Sequence, residues 1–522
     1  MVVGTFHKRG RMADTIFTNA KIFTSFDPIG HVEAMVVRDG RITALGKEGS
    51  MRSKAGKDAE VVDLKGRVIL PGFIDAHMHL DNFGEYLNEI DLVGVSSITE
   101  LQAKIRGSHG MMGWVIGHGW DEHRFKEHRM PTRMDIEEIE KERPVYLSRV
   151  DLHSAVLNTK AIDMLELKDR FHRSGDLEMS EGELTGVVRE KAFEYVDRAI
   201  KEKCEEDQSC TMLIDALNEA ARLGVTTVGF VSCSLGSLKF LERMRREGSL
   251  NVRVRAYLNA DELDNFKGFE NDDMLRVVGV KIFADGSLGT KTALLSFSYR
   301  DDPDNRGIEI TGQAKMLELA RKAEEKGLHI ATHAIGDKAL DNVIEVYRKL
   351  KGKHRIEHAS LIRQDQMDEL ELISPMLVVQ PHFIITDFWT LDRIGRSRAK
   401  MAYPFRTLLS RGLDMALSTD SPVEPLNPWE TVYAAATRGR SEGTLLGQVT
   451  DDERLSVSKS IELYTEGSAK AVLDDEIGSL REGNMADFIV VGMDPMTLDF
   501  NELRNLKVLE TYVKGRKIYS AE

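Results

Sequence analysis

Two histidines, His77 and His79, leave the apolar run "VILPGFIDAHMHL" at alternate positions, with Met78 between them. In an extended strand residues i and i+2 share a face, so the two imidazoles project together and make a ready pair of metal ligands. Alone, the pair is equally open to a plainer reading, two polar residues leaving a strand. Other strand ends bear on the choice. His333 closes "HIATHA", His358 closes "RIEHA" and Asp420 closes "ALSTDSP". Any one of them would be read as a cap or a hydrogen-bonded core residue, but four histidines and an aspartate on one rim make independent caps a poor explanation. Lys281 sits in the otherwise apolar "VVGVKIF". A buried ammonium is costly unless it pairs with Asp285 or another acid, or loses its proton. A neutral amine can add carbon dioxide, giving a carbamate, an anionic oxygen ligand able to bridge two metals.

The elements that would hold these residues form a repeating pattern. Short apolar or β-branched segments occur at 68–75, 225–231, 252–258, 277–283, 328–333, 354–358, 376–380 and 414–419, with helical stretches such as "AKMLELARKAEEKG" and "ALDNVIEVYRKLKG" between several of them. Eight such units predict an α/β fold built on a closed (β/α)8 TIM barrel, an open doubly wound sheet being the alternative. The chemistry-bearing residues then fall at the C-terminal ends of the strands, where barrel active sites are built.

About 150 residues separate the first two strands, far more than one crossover needs. Residues 83–210 are therefore read as an α/β insertion, a lid or specificity wall at the barrel mouth. Trp120 and His153 in this insertion, and His382 in "VQPHF" after the seventh strand, are candidate substrate contacts. An indole could wall a pocket and an imidazole could orient a carbonyl, although ordinary packing or hydrogen bonding explains each equally well. Residues 1–70 read as short strands, with Asp39-Gly40 as a hairpin turn between alternating runs. The same texture returns in "MADFIVVG" and "VLETYVKGRKIYS". The two termini, 1–70 and 475–522, are expected to build one small β-rich domain, leaving 71–82 and 211–474 for the barrel.

Composition narrows the partners. The 522 residues are 42% hydrophobic and carry a formal charge of -14, which argues against a surface built to neutralise nucleic-acid phosphates and favours a small-molecule substrate. Three cysteines, Cys204, Cys210 and Cys233, are too few for a disulfide framework and lack zinc-ribbon spacing. The opening "MVVGTFHKRGRM" lacks the apolar core of a secretory signal, and Met12 is an alternative start. With no long apolar run, a cytoplasmic protein with no membrane partner is expected. A homodimer is expected only from how common two-fold pairs are.

"PGFIDAHMH", "VKIFADGSLGTKTA", "THAIGD", "IEHAS" and "STDSP", in this order, resemble the amidohydrolase superfamily over nearly the whole chain. "GWDE", "DLHSAVLN" and "TGVVREKA" are similar to its large-insertion branch, which includes N-substituted formamide deformylase. The resemblance implies a TIM barrel, a β-sandwich-like domain formed by both termini, and a metal-dependent hydrolase of non-peptide carbon–nitrogen bonds, amide or N-formyl. It implies a binuclear centre taking one or two divalent ions, zinc or similar. His77, His79 and Asp420 would hold the more buried ion and His333 and His358 the second, joined by carboxylated Lys281. Asp420 would serve as general base and acid for a metal-activated hydroxide. Esters, lactones or phosphotriesters could be cut at the same site, and a non-catalytic scaffold is the third reading.

Overall fold

The computed structural model describes residues 14–108, 113–149, 154–171, 175–202 and 206–521. Met12, His153 and Cys204 lie outside the described residues. Two units emerge, Asp81–Ala216 and the remainder of the chain.

In the larger unit the apolar segments pair as one parallel eight-stranded sheet in sequence order. Its strands are β1 (Phe73–Met78), β2 (Val225–Cys233), β3 (Arg253–Asn259), β4 (Leu275–Phe283), β5 (His329–Ala334), β6 (Arg355–His358), β7 (Met376–Val379) and β8 (Met415–Leu417). First and last strands meet at the C-terminal rim, where the Asp420 N–H donates to His77 O at 2.8 Å and the His79 N–H to Ser421 O at 2.9 Å. The result is a nearly closed (β/α)8 barrel. Helices form where apolar residues recur at helical spacing. Gln313–Glu325 buries Met316, Leu319, Ala320 and Ala323, and Asp337–Tyr347 buries Leu340, Val343, Ile344 and Tyr347.

The segment 68–75 is not one barrel strand. Val68–Pro71 pairs with Lys21–Phe26 and with Phe488–Val491 in a separate six-stranded sheet, and the barrel begins at Phe73. Gly72 makes the switch. A Cβ there would fall 2.3 Å from the Thr226 side chain, so a larger residue would push β1 away from β2. The final strand is shorter than its predicted span, ending at Leu417, which leaves Asp420 on the loop beyond.

Strands from both ends of the chain build the second layer. The six-stranded sheet runs Arg516–Ser520, Val508–Val513, Phe488–Val491, Val68–Pro71, Lys21–Phe26, Ile29–Val32, and a four-stranded sheet collects Thr15–Thr18, Ala34–Arg38, Arg41–Gly46 and Glu60–Asp63. Phe17, Met35 and Ile42 of the smaller sheet share a core with Ile22, Ile69, Phe488 and Tyr512 of the larger. Each such side chain contributes about 1.5–3 kcal/mol by leaving water. The predicted Asp39-Gly40 turn forms with φ of 50° and 81°, both left-handed, as a two-residue hairpin demands.

The smaller unit carries its own mixed six-stranded sheet, including Val115–Trp120, Val145–Arg149 and Glu183–Arg189. Two apolar clusters, one around Trp114 and Tyr146 and one around Trp120 and Leu147, give it its own core. No helix among the described residues is long and apolar enough to cross a membrane.

Candidate metal centre

Five strands deliver the six chemistry-bearing residues at, near or just beyond their C-terminal ends. His77 lies within β1, and His79 follows it just past the strand; the rings sit 5.7 Å apart on one face. Lys281 is two residues before the end of β4, His333 lies one residue before the end of β5, and His358 is the last residue of β6. His358 (φ 69°) and Asp420 (φ 64°) both adopt the left-handed conformation, which costs a residue with a Cβ about 1–2 kcal/mol. Both side chains are turned off the regular strand alternation by it. Strain of this kind concentrates at functional sites.

His77, His358 and Asp420 each offer a ligand atom within 4.8 Å of the other two, and all three are buried. His77 Nδ1–H donates to Glu357 Oε2, and His358 Nδ1–H donates to Gln380 Oε1 at 2.8 Å. These partners leave each Nε2 as a bare lone pair, the tautomer being inferred from the acceptors. Asp420 Oδ1 is buried and accepts no hydrogen bond, yet His77 Nε2 stands 3.1 Å and His79 Nε2 3.3 Å from it. Lone pairs crowded this way repel unless a cation lies among them, so the donor set fits a divalent metal.

Lys281 Nζ lies 3.2 Å from His77 Nε2. Burial pushes its amine down to about 8, against the pull of Glu357 and Asp420. Asp285 is not its partner. That carboxylate accepts the N–H groups of Leu294 (2.8 Å), Ile335 (3.0 Å) and Gly336 (2.8 Å). The His333 ring meets the His358 ring edge-on with centroids 4.4 Å apart, outside the tight triple, with Nε2–H donating to Gly286 O at 3.1 Å. Its Nδ1 is then the atom left for a metal. Burial, reinforced by Lys281, pushes this imidazole down to about 3, keeping it neutral.

Behind the site is a buried framework absent from the sequence reading. Glu357 is gripped by Arg355, Nε to Oε1 at 2.5 Å and Nη2 to Oε2 at 2.8 Å. Burial opposes its ionisation, but Arg355 and His77 hold it well below the ordinary carboxylate range. Arg355 also donates to Ala76 O at 2.8 Å, anchoring β1. Asp75 accepts from the Thr419 hydroxyl at 2.5 Å and from Tyr464 Oη at 3.2 Å, tying β1 to the segment that carries Asp420. The signals were present in "FIDAH" and "HRIEH", where charged residues interrupt apolar strands two and one residues before a histidine.

Of the predicted substrate contacts, Trp120 and His382 lie among the described residues. Trp120 is fully buried in the insertion's own core, with its indole N–H donated to Leu147 O at 2.8 Å; packing, not a pocket wall, explains it. His382 is buried with Nδ1–H donated to Glu424 Oε2, and it is not among the residues lining the cavity beside the candidate ligands. That cavity, ≈430 Å³, is lined by His79, Lys281, His333, His358 and Asp420 together with aromatic and aliphatic side chains.

The amidohydrolase family profile matches residues 60–519. The chain belongs to the amidohydrolase family. Within known structures, it is 35% identical to an uncharacterized metal-dependent hydrolase from Pyrococcus horikoshii OT3, with TM-score 0.83 over 94% of this chain and 99% of that one. A second, from Pyrococcus furiosus, is 37% identical, with TM-score 0.82 over 93% of this chain and 100% of that one. N-substituted formamide deformylase of Arthrobacter pascens is 25% identical, the match covering 97% of this chain and 98% of that protein. These amidohydrolase relatives match along nearly their full length.

Proposed function

We propose that this amidohydrolase hydrolyses a non-peptide carbon–nitrogen bond of amide or N-formyl type at a metal centre held by His77, His79, Lys281, His333, His358 and Asp420. The observation that carries the reading is the convergence of His77 Nε2, His79 Nε2 and a hydrogen-bond-free Asp420 Oδ1 in a buried pocket. Zinc or a similar divalent ion, when bound there, supplies Lewis acidity that lowers the pKa of water and polarises a carbonyl.

The chain's own groups supply the rest. Glu357 and Gln380 lock two imidazole tautomers, so that no reorganisation is needed when a cation binds. Lys281, with its amine pushed down to about 8, has a substantial neutral fraction near neutral pH and can take up carbon dioxide as a carbamate. Asp420 can accept a proton at its carboxylate and return it to the leaving nitrogen. The kinship with a formamide deformylase supports the choice of bond.

A hydrolysis screen over N-formyl, N-acyl, cyclic-amide and ester libraries with metal-loaded protein tests the proposal. Turnover of formamides or amides is expected to exceed that of matched esters once intrinsic reactivity is allowed for. Turnover confined to esters, lactones or phosphotriesters would overturn the assignment of bond type.

A further inference from the structure

The cavity beside the metal cluster holds one carboxylate that the chemistry above does not use. Asp387, on the short segment after helix Phe383–Thr386, lines it together with Phe283, Phe383, Tyr403 and Val423. The Tyr403 hydroxyl donates to Asp387 Oδ2 at 3.2 Å, and Oδ1 accepts no hydrogen bond from the described residues. Tyr403 is itself clamped. Its backbone is left-handed (φ 50°), its N–H donates to Ser360 O at 2.8 Å, and its carbonyl accepts from Arg438 Nη1 at 2.8 Å. The phenol that holds Asp387 is therefore fixed before any ligand arrives.

The charge on the cavity wall is one-sided. Among the described residues, no lysine or arginine apart from Lys281 lines it. The nearby Arg393 donates to Asp301 and to Gly289 O at 3.3 Å, and Glu424 accepts from His382 and Thr386; the two opposite charges act on Asp387 from outside the cavity lining and oppose one another. A half-buried carboxylate with one oxygen free of hydrogen bonds, lining a cavity with aromatic rings, suits a cation, which gains a charge-assisted hydrogen bond and the negative faces of the rings together. Burial, with the Glu424 carboxylate, pushes the Asp387 carboxyl up to about 7 against the Tyr403 hydrogen bond and the Arg393 charge, so a bound cation would favour its ionised form.

We propose that Asp387, positioned by Tyr403, binds an ammonium group on the substrate, so that the preferred substrates are N-formyl or N-acyl amides carrying a second, cationic amino group. The inference rests on the carbon–nitrogen reading above for the scissile bond, but the cation site can be tested without turnover.

Two experiments on metal-loaded protein decide it. The first compares N-formylputrescine, its uncharged isostere N-formylpentylamine, and the anionic N-formyl-δ-aminovalerate. The expected order of kcat/KM is ammonium, then neutral, then carboxylate, with about tenfold between the first two. Asp387→Asn should abolish that preference, mainly through KM for N-formylputrescine, and Tyr403→Phe should reduce it in the same direction. The second measures calorimetric binding of pentylammonium, which cannot be hydrolysed, to wild type and Asp387→Asn with metal content checked in both. Binding lost in the variant at equal metal content supports the site. Equal kcat/KM for the ammonium and neutral compounds, together with no Asp387-dependent binding, overturns it while leaving the carbon–nitrogen reading intact. Asp387-dependent binding with no turnover of any formamide would instead keep the cation site and overturn the reaction.

Discussion

Replacing Glu357 by Gln should separate what holds the barrel together from what tunes its metal. In wild type, Glu357 neutralises Arg355 and accepts from His77 Nδ1, all three buried. Glu357→Gln leaves the Arg355 guanidinium as an unpaired buried cation, a loss of about 3–5 kcal/mol. It also weakens the acceptor that fixes the His77 tautomer, which should cost about 10–100-fold in metal affinity. The double variant Arg355→Met/Glu357→Leu removes both charges. It should regain most of the stability, because no uncompensated charge remains, yet keep the metal defect, because His77 Nδ1–H still lacks its acceptor. Guanidinium unfolding of the metal-free proteins reads the first quantity and competition with a calibrated chelator reads the second. The pH dependence has a definite sign. Glu357 is held below its ordinary value of 4.5, so its stabilising contribution is complete above about pH 4.5 and is lost as pH falls through the folded-state value. Glu357→Gln should therefore flatten the acid limb of stability against pH. Metal affinity unchanged in Glu357→Gln, or restored along with stability in the double variant, would refute the reasoning.

Further outcomes follow from the same geometry. Lys281→Ala should lose most metal and activity, with partial rescue by acetate or propionate filling the vacated bridge; full metal and activity in the variant would remove the carbamate. For wild type, an amine near 8 is about half neutral at pH 8, against well under 1% for an ordinary lysine. At fixed dissolved carbon dioxide, metal uptake by stripped protein should therefore rise with pH and level off above about 8, and uptake indifferent to carbon dioxide would count against Lys281. Trp120→Ala should destabilise the insertion by about 3–5 kcal/mol, seen as lower proteolytic resistance of that unit, with metal content unchanged. A substrate-dependent change in KM with no loss of stability would restore Trp120 to a pocket role.

The barrel could be read from the chain because its strands are apolar or β-branched runs separated by helical periodicity, and those two periods are physically distinct. What failed was local. Val68–Pro71 and Phe73–Met78 form one continuous apolar stretch, and only the close approach of Gly72 to Thr226 divides them between two sheets. Residues 418–420 lie beyond the short last strand because Thr419 bonds sideways to Asp75. The six convergent residues were visible because each lies at or close to the C-terminal end of a strand of the same barrel. Their supports were not, since Arg355, Glu357 and Asp75 meet their partners only once the closed barrel brings β1, β6 and the segment after β8 around one centre. Trp120 looked like a pocket wall for the opposite reason: a large aromatic in an insertion gives no hint that its N–H will meet Leu147.

The most direct test of the central claim is metal analysis of protein purified without added metal, before and after chelation, with hydrolysis measured on the same samples. One or two divalent ions per chain are expected. They should leave together with activity on chelation and return together with it on readdition, and Asp420→Ala should fail to recover either. A chain that binds no stoichiometric metal, or whose hydrolysis is unaffected by chelation, would contradict the account.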